Sequence, residues 1–131
     1  MRANRPRPKS LTNRVIVAVL RSHLHWLLSA ALLELRFNGR RTRRLYSMPA
    51  QYARLGDDLV LYPGRPSQKV WWRNFEEPDD VTIMLAGREE QRKAHVLRPG
   101  DLKYDAAREV YASRFKRITI PPENPLVLLT A

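Results

Sequence analysis

The sequence contains no cysteine in 131 residues, which excludes a disulfide framework, a thiolate metal site and a cysteine nucleophile. That absence fits a reducing compartment. Only five glycines are present, and none forms a G-x-G-x-x-G, a P-loop or a G-x-S-x-G. Histidine is equally sparse: His23 and His25 are two apart and point away from each other on a helix, and His95 stands alone on a strand, so no metal site is expected. The carboxylates fall as adjacent pairs at turns and ends (Asp57-Asp58, Glu76-Glu77, Asp79-Asp80, Glu89-Glu90), where solvated caps are their ordinary role. Hydrolysis by the protein's own side chains is therefore not expected. A long uninterrupted apolar run is also missing. Val15 to Leu33 follows a basic stretch, as a membrane span or signal peptide would. Arg21 lies near its middle, however, where a charge costs about 2.5–3.5 kcal/mol, and His23 and His25 split the run. No small-residue cleavage site follows in a convincing place.

What is present is a 44% apolar chain in periodic blocks, enough for one globular domain with little core to spare as a monomer. The net charge of +11 is unevenly placed. Residues 1–44 hold eleven basic residues and one acid, Glu34, while the remainder holds thirteen basic and twelve acidic residues. A positive field confined to one third of the chain points to an anionic partner for that third. Residues 1–12, with Arg2, Arg5, Arg7 and Lys9, read as a flexible basic tail ahead of a single domain over 13–131. From Asn13, Ile16, Val19, Leu20, Leu24, Leu27, Leu28 and Ala31 recur at helical spacing, predicting an amphipathic helix over 13–30.

The period then changes to two. Leu33, Leu35 and Phe37 alternate with Glu34, Arg36 and Asn38, a half-buried strand ending at the hairpin signal Asn38-Gly39. A return strand is expected from about Arg44 to Arg54, bent or at an edge because of Pro49. Leu59 to Tyr62 reads as a short buried strand, and Lys69 to Glu77 as a helical turn closed by Pro78. Strands over Val81–Leu85 and Gln91–Leu97 follow, with Gly87-Arg88-Glu89 as their hairpin. Asp101 is a candidate N-cap for a helix through Phe115, with Tyr104, Ala107, Tyr111 and Phe115 on one face. Leu126 to Leu129 is a last strand. Six short strands joined mostly by tight turns suggest an antiparallel barrel.

Two features carry chemistry. Arg36, Arg40, Arg41, Arg43 and Arg44 place five guanidinium groups around one hairpin, where they repel unless an anion or solvent intervenes, and guanidinium forks suit phosphate and carboxylate oxygens. Trp71-Trp72-Arg73-Asn74-Phe75 is an aromatic turn in which one indole can enter the core while the other lines a cleft. Both indoles could equally be core. A heterocyclic ligand with an anionic tail would use both features.

Five motifs in register, Gly39-Arg40-Arg41-Thr42, Tyr46 to Tyr52, Gly56 to Val60, Pro63-Gly64-Arg65 and Val70 to Phe75, make the chain resemble the deazaflavin-dependent nitroreductase family. That family belongs to the flavin and deazaflavin oxidoreductase superfamily of actinobacteria and relatives. The resemblance implies an α+β, mainly β, split β-barrel of about six antiparallel strands, like the FMN-binding pyridoxamine-phosphate oxidases. The amphipathic helix and one or two further helices would accompany it. It implies coenzyme F420, a deazaflavin with a phosphate and a polyglutamate tail, with FMN as the alternative cofactor. Carried over by position, Arg40, Arg41 and Thr42 would contact the phosphate and tail. Tyr46, Ser47, Met48, Pro49, Ala50 and Gln51 would lie on the strand beside the cofactor. Gly64 and Arg65 would form the loop near the ring, and Val70, Trp71, Trp72, Arg73 and Asn74 the turn that closes the groove. Tyr111 would donate a proton or stack on the substrate.

The activity so implied is hydride transfer from the reduced deazaflavin to a small-molecule electron acceptor: a quinone, nitroaromatic or activated enone. Other readings stand beside it. One is a non-catalytic split barrel holding FMN, haem or a lipid-like molecule; the other is a basic binder of nucleic acid or of an anionic membrane surface. Under the leading reading no nucleic acid is expected, the protein is a cytoplasmic monomer or homodimer, and residues 1–30 give it a peripheral hold on an anionic membrane.

Overall fold

The structure, a computed structural model, describes residues 10–67 and 69–131. The first helix, α1 (Leu11–Arg21), begins where the Ser10 hydroxyl accepts the Asn13 amide at 3.0 Å, the cap that serine is suited to give. Leu11 and Thr12 are thus helical, and the rest of the expected basic tail, residues 1–9, lies outside the described residues. The helix does not continue to residue 30 as the periodicity predicts. Ser22 is extended; its hydroxyl donates to the Val19 carbonyl at 2.8 Å and accepts the Leu24 amide at 3.0 Å, so local serine bonds replace the next helical turn. A 3-10 turn, His25–Leu27, follows, and it carries the same apolar spacing past the break.

Seven strands follow: β1 (Leu32–Asn38), β2 (Leu45–Gln51), β3 (Ala53–Leu55), β4 (Asp58–Leu61), β5 (Asp79–Leu85), β6 (Arg88–Leu97) and β7 (Leu126–Thr130). They hydrogen-bond in the order β2-β1-β5-β6-β7-β4-β3, and the recorded pairings are antiparallel. The count exceeds the expected six because the return strand breaks at Tyr52, not at Pro49. Pro49 sits inside β2 opposite Glu34, and β2 is an edge strand, where a missing amide costs no ladder bond on the open side. The β5–β6 turn is Ala86-Gly87, both left-handed at φ 52° and 77°, which makes it tighter than the expected Gly87-Arg88-Glu89.

The chain divides into two compact units. One holds the described residues up to Gln51 together with Val81–Gln91; the other holds Tyr52–Asp80 and Arg92–Ala131. In the first, Leu33, Leu35 and Phe37 of β1 are buried on one face, opposite Ala50, Met48 and Tyr46 of β2. In the second, helix α2 (Tyr104–Arg114) lays Tyr104, Ala107 and Tyr111 against Val60, Leu97, Leu126 and Leu128. This is the face that the sequence period predicts. The helix begins two residues later than expected, with Lys103 and not Asp101 at its N-cap, and the Asp101 carboxylate instead accepts the Arg98 amide at 2.7 Å and closes the preceding turn. The Tyr104 hydroxyl donates to the carbonyls of Pro122 and Asn124 at 3.0 and 2.5 Å and ties α2 to the segment before β7.

Candidate functional site

The β1–β2 connection is a six-residue loop, wider than the two-residue turn that Asn38-Gly39 suggests. The Gly39 amide donates to the Arg44 carbonyl at 2.8 Å, the Arg43 amide donates to the Gly39 carbonyl at 2.9 Å, and Arg43 takes a left-handed φ of 60°. Gly39 is required by its neighbours, since a Cβ there would stand 2.7 Å from the Tyr46 ring and 2.9 Å from Thr42 Oγ1. Thr42 and Tyr46 share a hydroxyl–hydroxyl bond of 3.0 Å, and the Tyr46 ring stacks on Phe37 with centroids 5.6 Å apart. This framework holds Arg40, Arg41, Arg43 and Arg44 at an exposed tip that includes no acid.

Arg36 is not part of that cluster. It is 8% exposed and its anions are the chain's own: Glu34 at 2.8 and 3.0 Å and Glu89 at 2.6 Å. Glu34 is fully buried and also accepts from Arg21 of α1 at 2.9 and 2.5 Å and from Ser47 at 2.8 Å. Burial pushes the Glu34 carboxyl up, but the hydrogen bonds from Arg21, Arg36 and Ser47 and the charge of Arg36 outweigh it and hold the pKa at about 2. The Arg21–Glu34 ion pair fastens the end of α1 to β1, and Val17 and Leu20 of the helix are buried. Sequence reasoning missed the cluster because Glu34 and Arg36 alternate with leucines like any solvated strand face, while Glu89 lies 53 residues from Arg36.

The register separates the β2 residues expected beside a cofactor into two rows. Tyr46, Met48 and Ala50 face with Phe37, Leu35 and Leu33; Ser47, Pro49 and Gln51 alternate onto the face of Glu34. A ligand lying on one face meets one row only, and the Ser47 hydroxyl is already committed to Glu34.

The other expected contacts lie in the second unit. Gly64 and Arg65 are consecutive left-handed residues, at φ 50° and 46°, and a Cβ on Gly64 would meet nothing within 4 Å. Trp71–Phe75 form a 3-10 turn. Trp72 is buried, donates Nε1–H to the Pro66 carbonyl at 3.0 Å, and has Arg73 and Arg98 over its ring at 5.4 and 5.5 Å. Trp71 is half-buried and meets Phe75 edge-on at 6.4 Å, while Val70 is 63% exposed. The Asn74 amide donates to the Trp71 carbonyl at 2.8 Å, so that donor closes the turn. Tyr111 is 2% exposed, between Tyr62 at 5.8 Å and Phe115 at 4.8 Å, and burial, with a smaller contribution from Tyr62, pushes its hydroxyl up to about 12. Among the described residues, no group of three or more His, Asp and Glu is placed to hold a metal ion.

No protein-family model matches the chain, and no curated protein matches it in sequence. Solved structures do match. An F420-H2 dependent reductase (FDR-A) superposes with a TM-score of 0.58 at 9% identity, over 76% of this chain and 93% of that one. A structure described as a domain-swapped dimer gives 0.60 at 12% identity, over 78% and 81%. The Group A Streptococcus protein HupZ gives 0.57 at 14% identity, over 84% and 93%. The chain has the split-barrel fold. Identities this low carry the fold alone.

Proposed function

We propose that the protein is an oxidoreductase that uses coenzyme F420 to reduce a small-molecule acceptor of the quinone, nitroaromatic or activated-enone class. The observation that supports this reading is the exposed tip of Arg40, Arg41, Arg43 and Arg44, built on the Gly39–Arg44 loop and braced by Thr42 and Tyr46. Four guanidinium groups without an acid between them suit a ligand with several anionic oxygens, such as a phosphate followed by a polycarboxylate tail. FMN offers one phosphate and no such tail, so it would engage fewer of these groups. The structural neighbour described as an F420-H2 dependent reductase supports the same cofactor class.

When bound, the deazaflavin would supply the hydride, and the protein need contribute no nucleophile. The arginine tip would bind and orient the anionic end. The Tyr46 hydroxyl, held by Thr42, would keep the loop from collapsing onto the ligand. Fixed cationic groups also stabilise negative charge developing on an acceptor beside them. Changing Arg40→Ala together with Arg41→Ala should weaken F420 binding by roughly tenfold to hundredfold or more, the scale of losing two charge-assisted hydrogen bonds. Isothermal titration calorimetry reads this directly; unchanged affinity in the double variant would remove the tip from the site.

A further inference from the structure

Among the described residues, three non-glycine residues are held in the left-handed region: Arg43 at φ 60°, Arg65 at φ 46° and Ala86 at φ 52°. Ala86 lies in a two-residue turn that needs this conformation, and the Arg43 amide closes its loop onto Gly39. Arg65 is the costlier case. It follows a left-handed Gly64 and precedes Pro66, a position that favours extended backbone, so a glycine would sit there with less strain. Strained residues persist only where the surrounding structure over-determines them, and they gather at functional sites.

Two bonds hold Arg65 in place. Its carbonyl accepts the Lys69 amide at 3.0 Å, and the next carbonyl, that of Pro66, accepts Nε1–H of Trp72 at 3.0 Å. Trp72 is itself fixed: it is buried, Arg73 and Arg98 stand over its ring, and Arg98 pairs with Glu76 at 3.2 Å. This clamp leaves the Arg65 side chain exposed, with no hydrogen-bond or ion-pair partner among the described residues. The other polar side chains expected beside a ligand in this unit are committed. The Asn74 amide donates to the Trp71 carbonyl, Arg73 lies over the Trp72 ring, and Tyr111 is buried with its neighbours.

We infer that Arg65 is a catalytic residue of the proposed reduction, donating to the acceptor oxygen on which negative charge gathers, and that Trp72 is its positioning residue. The inference rests on the functional reading above. Quinone, nitroaromatic and enone acceptors share such an oxygen. The acceptor gains a hydride, with its electron pair, from the reduced deazaflavin, which is thereby oxidised; the charge settles on the acceptor oxygen, and water supplies the proton. A guanidinium stays charged throughout, so Arg65 stabilises the oxyanion without giving up a proton. Trp72, being buried, acts through the Pro66 carbonyl and touches no ligand.

The test compares the parent chain with Arg65→Gly, Trp72→Phe and the double variant, reading F420 affinity by titration, melting temperature by calorimetry and turnover of a soluble naphthoquinone with reduced F420. Arg65→Gly relieves the left-handed strain, so its melting temperature should equal or exceed the parent's. Its F420 affinity should be unchanged and its kcat about a hundredfold lower, the scale of one lost oxyanion donor. Trp72→Phe should lower kcat by about tenfold through misplacement of Arg65. The double variant should turn over no more slowly than Arg65→Gly alone, because Trp72 then has no guanidinium left to position. Losses that multiply in the double variant would overturn the positioning role, since a tryptophan serving only the core would produce them. An Arg65→Gly protein that keeps its kcat would overturn the catalytic role, as would one that melts several degrees lower, which would make the guanidinium a structural group. Arg65→Gly changes an exposed position, so it decides the catalytic role whatever Trp72→Phe does to the core. A parent that fails to bind F420 removes the functional reading and this inference with it, whereas equal turnover by the parent and Arg65→Gly removes this inference alone.

Discussion

Replacing Glu34 with glutamine should destabilise the protein by about 3–5 kcal/mol, enough to leave many domains of this size partly unfolded. The side chain keeps its shape, so the loss is not one of packing. Glu34 is the common anion for Arg21 and Arg36, and Arg36 is buried to 8% exposure. Glutamine removes the charge while both guanidinium groups stay desolvated, with only Glu89, 46% exposed, left for Arg36. The same pair sets an acid limit. Because the folded pKa of Glu34 is about 2 against an ordinary 4.5, the carboxylate contributes stability that is fully present above 4.5 and is lost as pH falls toward 2. That contribution is on the order of 3 kcal/mol. Urea midpoints measured from pH 6 to pH 2.5 should fall for the parent and fall less steeply for Glu34→Gln. Parallel curves would mean that the buried carboxylate is not titrating as its partners require.

Truncating Tyr111 to alanine should cost about 3–5 kcal/mol, as aromatic truncations in packed cores do. The ring is buried between Tyr62, Phe115 and the β4, β6 and β7 side chains, and nothing nearby can collapse into the space without disturbing α2. Tyr111→Phe removes only the hydroxyl and should cost less than about 1 kcal/mol. The two variants separate packing from chemistry. If the tyrosine serves the core, Tyr111→Phe retains its melting temperature and any F420-dependent reductase activity. If it donates a proton, that variant retains the melting temperature and loses the turnover.

Much of the fold was legible because its periods are local. Leu33, Leu35 and Phe37 announced β1, the Asn38-Gly39 step placed the hairpin, and Tyr104, Ala107 and Tyr111 marked the buried face of α2. Errors arose where a short polar side chain decided the backbone or where partners were distant. Ser22 ends α1 through hydroxyl bonds that hydropathy does not register, and Asp101 closes a turn where an N-cap was expected. Arg36 looked like one more member of the hairpin cluster because a sequence cannot say which charge is turned inward; its neutralisation depends on Glu89, brought close only by the strand order. For the site, the exposed tip was readable from composition. The commitment of the Ser47 hydroxyl to Glu34 was not, since it depends on a contact between neighbouring strands, whereas the Asn74 amide takes the loop-capping role that its sequence position already offered beside a ligand contact.

Equilibrium titration of the 131-residue chain with coenzyme F420 and, in parallel, with FMN tests the functional reading most directly. An arginine tip suited to a phosphate and a polycarboxylate tail predicts micromolar F420 binding, weaker FMN binding, and a difference that shrinks as salt screens the tail. Equal binding of the two, or no binding of either, would contradict it.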